Sequence, residues 1–200
     1  MSKDGYKTTL CLPRTDFPMK ADLPKREPVT LAFWEEKNVY RRLLEQNRGR
    51  PAYVHHDGPP YANGHIHYGT ILNKVLKDIV VKYHAMAGSF TKYVPGWDCH
   101  GLPIELAVER ESKQRSQNRD PLDVRRDCRA FAQKFIGVQR GEFRRLGGFG
   151  LWDDPYLTMK PSYEAAIVRG LAAFAEAGAI YRGRRPVYWC ASCRTALAEA

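Results

Sequence analysis

A polar, turn-rich stretch, GPPYANGHIHYGT, occupies residues 58–70 and comes directly before an apolar helical pattern. The N-terminus of a helix presents unpaired N–H groups and a partial positive charge, so phosphate or another anion is its natural ligand. His67 can donate to a phosphate oxygen, Thr70 adds a hydroxyl donor, and Gly64 and Gly69 would let a nucleotide approach the backbone closely. The stretch therefore predicts an anion site. The alternative is a tight turn in which the glycines serve geometry and the histidines are incidental.

A second polar stretch, PGWDCHGLPIE, covers residues 95–105 and carries Asp98 between a tryptophan and a cysteine. A carboxylate at the end of a strand and beside a phosphate site is suited to bind an ammonium group. The alternative is that Asp98 caps the helix predicted to begin near Leu102. Residue types alone leave both roles open.

A cysteine pair near the end of the chain, Cys190 and Cys193, has the spacing of zinc ligands. Two thiolates make half of a tetrahedral site, so we expect residues beyond 200 to complete it. Plain reduced thiols are the alternative. A redox dithiol is disfavoured, because the helix signal that should follow the first cysteine is weak.

Strands and helices alternate around the two polar stretches. A short strand is predicted over 52–56, and the helical repeat of ILNKVLKDIVVKYHAMAG runs from the first stretch to Gly88. A second short strand in SFTKYVPGWDCHG leads into the second stretch, and LPIELAVERESKQ begins another helix. This order predicts a parallel α/β sheet. Ligands of such sheets sit beyond the carboxyl ends of the strands, so the two stretches should be neighbours in space.

Four helices are predicted with apolar faces directed inwards, and an extended arm, TDFPMKADLPKREP, precedes the first of them. The first helix has Thr30 as its N-cap and continues through VTLAFWEEKNVYRRLLEQN. The helix after the first polar stretch should bury Ile71, Leu72, Val75, Leu76, Ile79, Val80 and Tyr83. A long helix from Pro121 should bury Val124, Cys128, Phe131, Phe135 and Val138. A later helix, PSYEAAIVRGLAAFAEAGAI, should bury Tyr163, Ile167, Leu171 and Phe174.

The composition is that of a globular, basic protein. Of 200 residues, 44% are hydrophobic, and Lys plus Arg outnumber Asp plus Glu by 32 to 22, which gives a net charge of +10. Such a balance favours polyanionic partners such as nucleic acid. No apolar run approaches the roughly 18–20 residues of a membrane helix, and the N-terminus has no signal-peptide pattern. An odd number of cysteines, five, suits a reducing compartment, so we expect a cytoplasmic protein without membrane contact.

Several motifs together resemble one enzyme family. HYGT preceded by PPYANG resembles the HIGH motif of the class I aminoacyl-tRNA synthetases. GPPYANG together with PGWDCHGLPIE is similar to the isoleucyl-tRNA synthetases of the bacterial type. The resemblance continues through TDFPMKADLPKREP, LWDDPYLTM and RRPVYWCASCRTALAEA, so it covers essentially the whole chain.

The resemblance implies roles for individual residues. Gly58 and Pro59 would line the amino-acid pocket, and Asp98 would hold the α-ammonium of isoleucine. His67 and Thr70 would act in catalysis at the first and last places of the motif, although the motif has a second histidine where this chain has threonine. ATP, with Mg²⁺ on its phosphates, would bind the wider motif, which comprises Pro60, Tyr61, Ala62, Asn63, Gly64, His65, Ile66, His67, Tyr68, Gly69 and Thr70.

The resemblance also implies an architecture and partners. We expect an N-terminal arm and helix over 1–50, the first half of a Rossmann-like catalytic domain over 51–185, and the start of an editing insertion over 186–200. The chain would be the N-terminal part of an enzyme that joins isoleucine to tRNA(Ile), inactive alone and monomeric at full length. A sister synthetase for valine or leucine is one alternative. A stand-alone nucleotide- or RNA-binding half-domain without ligase activity is the other.

Overall fold

The structure is a computed structural model that describes residues 9–11, 15–16, 18–112, 119–192 and 194–197. The chain divides into two compact units. The first contains Met1–Asp57, Gly64–Pro95 and Phe135–Asp153, and the second contains Gly58–Asn63, Gly96–Lys134 and Asp154–Ala200.

Six helices and four short strands are formed by the described residues. The helices are α1 (Leu23–Glu36), α2 (Val39–Gln46), α3 (Tyr68–Met86), α4 (Leu102–Ser112), α5 (Pro121–Arg145) and α6 (Pro161–Glu176). The strands are β1 (Gly96–Trp97), β2 (Tyr156–Leu157), β3 (Trp189–Cys190) and β4 (Thr195–Ala196). No helix among the described residues is long and apolar enough to cross a membrane.

The N-terminal helix of the first unit begins earlier than the sequence indicates. Helix α1 starts at Leu23, so Thr30 is not its N-cap and lies inside it, where its Oγ1 donates to the Arg26 carbonyl at 3.1 Å. Pro24 occupies the first turn, where a missing N–H costs nothing. Two of the three prolines in the predicted extended arm, Pro24 and Pro28, therefore lie in helix α1.

The predicted first helix is in fact two helices. Asn38 adopts a left-handed conformation with φ of 49° and separates α1 from α2. Asparagine tolerates this conformation better than most residues, which explains why the chain turns here. The helical rhythm of the sequence continues across the break and does not reveal it.

Helix α3 ends near Gly88 as predicted, but its inward face differs from the predicted one. Gly88 has φ of +91°, which suits a glycine after a helix C-terminus. Val81 and Ala85 are the buried residues of α3. By contrast, more than half the surface is exposed at Leu72, Leu76, Ile79 and Tyr83. The prediction for these four is wrong, because the inward stripe also contains lysines and an aspartate that a hydrophobicity pattern assigns to solvent.

Parallel pairing occurs in both units. In the first unit the strand predicted over 52–56 is reduced to one parallel bridge, between Ala52 and Phe90. In the second unit β1 pairs in parallel with β2, with Gly96 opposite Tyr156 and Trp97 opposite Leu157. A side chain on Gly96 would collide with the Tyr156 ring, so glycine is required at this crossing. The predicted α/β class is confirmed, and β2 comes from the segment LWDDPYLTM.

The remaining elements belong to the second unit except for the C-terminal part of α5. Helices α4 and α5 form where predicted, and Val124 and Phe131 of α5 are buried. The inward face predicted for α6 is wrong at Ile167, Leu171 and Phe174, which are more than half exposed. Strands β3 and β4 form an antiparallel hairpin that ends the described chain.

Candidate functional site

The two polar stretches meet directly in the second unit. Asp98, the residue after β1, forms a parallel bridge with Tyr61. The Ala62 N–H donates to the Asp98 carbonyl at 3.0 Å, and the Asp98 N–H donates to the Pro60 carbonyl at 2.9 Å. The sequence prediction that these stretches are neighbours is confirmed for Gly58–Asn63 and the end of β1.

The Asp98 carboxylate does not cap helix α4. Its Oδ1 accepts from the His100 N–H at 3.3 Å, which is a turn within its own loop. The first N–H groups of α4, from Ile104 and Glu105, bond to the Gly101 carbonyl at 3.2 and 3.3 Å. Within the part of the chain that the structure describes, the second carboxylate oxygen of Asp98 accepts no hydrogen bond. Asp98 thus keeps an acceptor for a ligand.

Cys99, next to Asp98, is a structural thiol. It is 3% exposed, and its Sγ donates to the Trp97 carbonyl at 3.5 Å. Burial raises the pKa of the Cys99 thiol above its ordinary value, although hydrogen bonds from Met159 and Thr158 act in the opposite direction. A protonated, buried thiol is a poor nucleophile and a poor metal ligand.

His67 in the first unit is the N-cap of helix α3. Its Nδ1 accepts from the N–H groups of Gly69 and Thr70 at 3.1 and 3.4 Å. Accepting at Nδ1 places the proton of the neutral imidazole on Nε2, which is therefore a donor. The side chain is exposed, so this donor faces outwards at the positive end of a 19-residue helix. The described geometry offers an anion the Nε2–H, the Thr70 hydroxyl and the positive end of α3, while the Gly69 and Thr70 N–H groups are already bonded to His67.

The segment before His67 is held by α5. Glu142 accepts from the Ile66 N–H at 3.0 Å through Oε2, and its Oε1 lies 2.5 Å from Nδ1 of His65. Gln139 donates to the Gly64 carbonyl at 2.7 Å. Burial alone would raise the pKa of Glu142, but the bonds from His65 and Ile66 outweigh it and hold that pKa below its ordinary value. His65 therefore points to α5.

The residue before Gly58 is the centre of a buried ionic cluster in the first unit. The Asp57 carboxylate accepts from the ammonium groups of Lys74 and Lys77 on α3, and from the Tyr93 hydroxyl at 2.7 Å. The side chains of Asp57 and Lys74 are only 5% and 12% exposed. This cluster holds Asp57 against Lys74 and Lys77 of α3 within the first unit.

One carboxylate shared by two ammonium groups explains the pKa directions in this cluster. Burial alone would raise the pKa of Asp57, but hydrogen bonds from Lys74, Lys77 and Tyr93 and the charge of Lys74 lower it below its ordinary value. Burial lowers the pKa of Lys74 by more than its bond to Asp57 raises it, and the charge of Lys77 lowers it further. The cluster thus stabilises the charged form of Asp57, while burial opposes the charge of Lys74.

The cysteine pair is only partly described. Cys190 is half-buried at the end of β3, whereas Cys193 lies outside the described residues. Across the described residues no group of three or more His, Cys, Asp and Glu side chains could hold a metal ion.

Sequence reasoning missed five residues that support the site: Asp57, Lys74, Lys77, Gln139 and Glu142. Each acts across a long separation in the chain, up to 77 residues for His65 and Glu142. The only local signal was the pair of lysines three apart on one side of α3.

Comparisons with known proteins place this geometry in a family. The family model of the class I tRNA synthetases (I, L, M and V) matches residues 29–200. Isoleucine–tRNA ligases from Geobacter sulfurreducens and Lawsonia intracellularis are 57% and 56% identical over 195 residues, covering 98% of this chain and 21% of theirs. That from Moorella thermoacetica is 54% identical over 198 residues, with the same coverage.

The chain therefore spans about a fifth of the length of the curated relatives it matches. Among solved structures, LeuRS of Agrobacterium radiobacter K84, in a ternary complex with tRNA and LeuAMS, aligns with a TM-score of 0.70. The alignment is 24% identical and covers 90% of this chain and 21% of that one, so it shows a shared fold. The match over residues 29–200 decides the family: the chain belongs to the class I tRNA synthetases of the I, L, M and V group.

Proposed function

We propose that the chain is the N-terminal part of an isoleucine–tRNA ligase, which activates isoleucine with ATP and transfers it to tRNA(Ile). The observation that carries this proposal is the 52–57% identity to curated isoleucine–tRNA ligases over 98% of the chain. An aligned region of that extent includes both polar stretches. The net charge of +10 suits a protein whose substrates are a nucleotide and a tRNA.

The ATP site of this proposal is the HIGH-type segment Pro60–Thr70. The phosphates would lie at the N-terminus of α3, where His67 Nε2–H, the Thr70 hydroxyl and the Gly69 N–H can donate to their oxygens. Because the His67 ring already accepts from the Gly69 and Thr70 N–H groups, a phosphate oxygen competes with it for them. Thr70 stands where the motif has a second histidine, so it keeps a donor with a shorter reach.

The isoleucine site combines Gly58, Pro59 and Asp98. The backbone pairing of Pro60 and Ala62 with Asp98 supports this combination, because it fixes the loop beside the carboxylate. Asp98 would accept from the α-ammonium of isoleucine through the oxygen that accepts no bond from the described chain. The isoleucine carboxylate would then attack the α-phosphorus of ATP, forming isoleucyl-adenylate and releasing pyrophosphate.

Catalysis in such a site depends on positioning and on stabilising charge. Mg²⁺ would neutralise negative charge that develops on the phosphates. The residues that support the reaction from the protein side are His67 and Thr70.

The domain organisation that we propose has an N-terminal arm and helix over 1–50, the first half of the Rossmann-like catalytic domain over 51–185, and the start of an editing insertion over 186–200. Cys190 and Cys193 would supply half of a structural zinc site there. Cys190 lies at the end of the hairpin strand β3, just before its turn, which is a position that suits a ligand of such a site.

Amino-acid-dependent exchange of pyrophosphate into ATP by the full-length protein tests the proposal. We expect isoleucine to support exchange at a lower concentration than valine, since a single methylene is worth roughly 10–200-fold in a hydrophobic pocket. Leucine should support little. Preference for valine or leucine would assign the chain to a sister synthetase. Absence of exchange with all three would leave a nucleotide- or RNA-binding module.

A further inference from the structure

One face of helix α5 holds the three residues that lead into the N-cap of α3. Phe135, Gln139 and Glu142 are spaced i, i+4 and i+7, so they lie on the same side of the helix. Their partners are consecutive. Gln139 binds the Gly64 carbonyl, Glu142 binds the Ile66 N–H and the His65 ring, and Phe135 meets the His65 ring edge-on at 6.2 Å between centroids.

This part of α5 is a fixed platform. Ile136 is fully buried and Phe143 is 2% exposed, so the helix is anchored in the core of the first unit. Gln139 is 3% exposed, which makes its bond to Gly64 costly to lose. The Glu142 side chain is only 27% exposed, and both of its carboxylate oxygens are bonded to the loop, one to the Ile66 N–H and one to the His65 ring.

The segment that α5 holds, residues 64–66, ends immediately before His67. The backbone of His65 and Ile66 decides where the His67 imidazole lies, and therefore whether Nδ1 meets the Gly69 and Thr70 N–H groups and where Nε2–H points. A shift of about 1 Å in such a group can cost about a hundredfold in rate. Nothing in the local sequence of the loop fixes this geometry, since Gly64 itself is unrestrained by a side chain.

We propose that Glu142, assisted by Gln139, is a positioning residue for the phosphate-binding turn of α3. It acts through His65 and Ile66 and does not touch the substrate. This inference rests on the proposed function for its catalytic consequence, while the positioning itself is a property of the fold. The position of His67 is set by the two hydrogen bonds that Glu142 makes to His65 and Ile66. The negative charge of Glu142 is not required for it.

Substitutions at Glu142 separate these contributions. Glu142→Ala removes both hydrogen bonds. Glu142→Gln keeps an acceptor for the Ile66 N–H and offers an amide donor to a neutral His65 ring, so it retains the geometry without the charge. Glu27→Ala is the matched control, because Glu27 pairs with Arg145 on the last turn of the same helix at 2.8 Å and contacts no part of the loop.

The kinetic test is isoleucine-dependent pyrophosphate exchange by the full-length protein. We expect Glu142→Ala to lower kcat between about tenfold and a hundredfold, with the KM for isoleucine changed less than about twofold. Glu142→Gln should stay within about threefold of the wild type and Glu27→Ala within about twofold. Equal losses in Gln and Ala variants would overturn the proposal, because charge would then matter instead of hydrogen bonding. An unchanged rate in Glu142→Ala would overturn it as well.

Hydrogen exchange at peptides covering residues 64–70 tests the positioning without reference to the reaction. We expect the amides of Ile66, Gly69 and Thr70 to exchange at least about tenfold faster in Glu142→Ala than in the wild type or Glu27→Ala. Unchanged exchange would overturn the positioning role. If the wild type shows no isoleucine-dependent pyrophosphate exchange, the proposed function fails, and this second measurement still decides whether Glu142 holds the turn.

Discussion

Replacing Asp57 by asparagine should destabilise helix α3, because it leaves Lys74 and Lys77 without their shared carboxylate. Asparagine has nearly the same shape, and its oxygen can still accept from the Tyr93 hydroxyl. The substitution therefore removes the charge while leaving the packing in place. We expect the free energy required to open helix α3 locally to decrease in this variant.

The size of the stability loss in Asp57→Asn depends on how deeply the three charged side chains of the cluster are buried. The side chains of Asp57, Lys74 and Lys77 are 5%, 12% and 28% exposed. Removing one partner of a buried ion pair costs about 3–5 kcal/mol. Lys74 can limit the cost by releasing its proton, which at pH 7 costs about 4.6 kcal/mol because the ordinary lysine pKa lies about 3.4 units higher. Lys77 is more exposed and can turn to water, so we expect a total loss of about 3–5 kcal/mol.

Native-state hydrogen exchange at peptides of α3 in the full-length protein measures this loss, because global unfolding of a large protein is not a two-state process. The double variant Asp57→Asn with Lys74→Met should recover most of the stability, since the buried ammonium is gone. Asp153→Asn is the control: its side chain is 82% exposed and pairs with Arg144, so it should cost under about 1 kcal/mol. A loss for Asp57→Asn as small as that of the control would refute the account of the cluster.

The pH dependence of the same cluster has a definite sign. The folded-state pKa of Asp57 lies below its ordinary value, so its stabilising contribution is fully present above the unfolded-state pKa near 3.9. That contribution is lost as the pH falls through the lower, folded-state pKa. The difference between the wild type and Asp57→Asn should therefore be constant from about pH 5 to pH 7 and should shrink in acid, and above about pH 7 release of the Lys74 proton in the variant should also reduce it. A difference that grows below about pH 4 would contradict this sign.

Three further outcomes are expected. His67→Ala should slow adenylate formation and destabilise the N-terminus of α3 by about 1 kcal/mol. His67→Asn should keep the helix cap but should also slow adenylate formation. If both variants form the adenylate as fast as the wild type, His67 does not bind the phosphates. Asp98→Asn should raise the KM for isoleucine at least about tenfold more than the KM for ATP, and equal effects would exclude an ammonium site. Gly96→Ala should destabilise the β1–β2 pairing by about 1–3 kcal/mol, and adding Tyr156→Ala should restore most of it; no recovery would mean that the Tyr156 ring is not the obstacle.

The sequence predicted the parts of the fold that depend on local order. Strand, loop and helix alternate around both polar stretches, and this order was enough to bring Tyr61 beside Asp98. The boundaries of α4 and α5 follow from strong local patterns, and the end of α3 follows from Gly88. In each of these cases the deciding interaction lies within a few residues or follows from topology.

The failures involve interactions that no local pattern contains. Helix α3 packs through Lys74, Asp78, Val81 and Ala85, and half of that stripe is charged because its partners are charged. The apolar pattern therefore selected the opposite face. Strand β2 is two residues long, which is too short for an alternating pattern to emerge.

The candidate site also contains residues that could be predicted from the sequence and residues that could not. The residue types of His67 and Asp98 indicated ligands because a histidine before a helix and a carboxylate after a strand have few other uses together. The supporting residues Asp57, Gln139 and Glu142 look like ordinary polar residues until the fold brings them to the loop. Positioning groups of this kind become visible only in the structure.

The most direct test of the central claim is the amino-acid dependence of pyrophosphate exchange into ATP, measured for the full-length protein with isoleucine, valine and leucine side by side. The account predicts exchange that saturates at the lowest concentration with isoleucine and is slowed in His67→Ala. Exchange that is indifferent to the amino acid, or absent with all three, would contradict it.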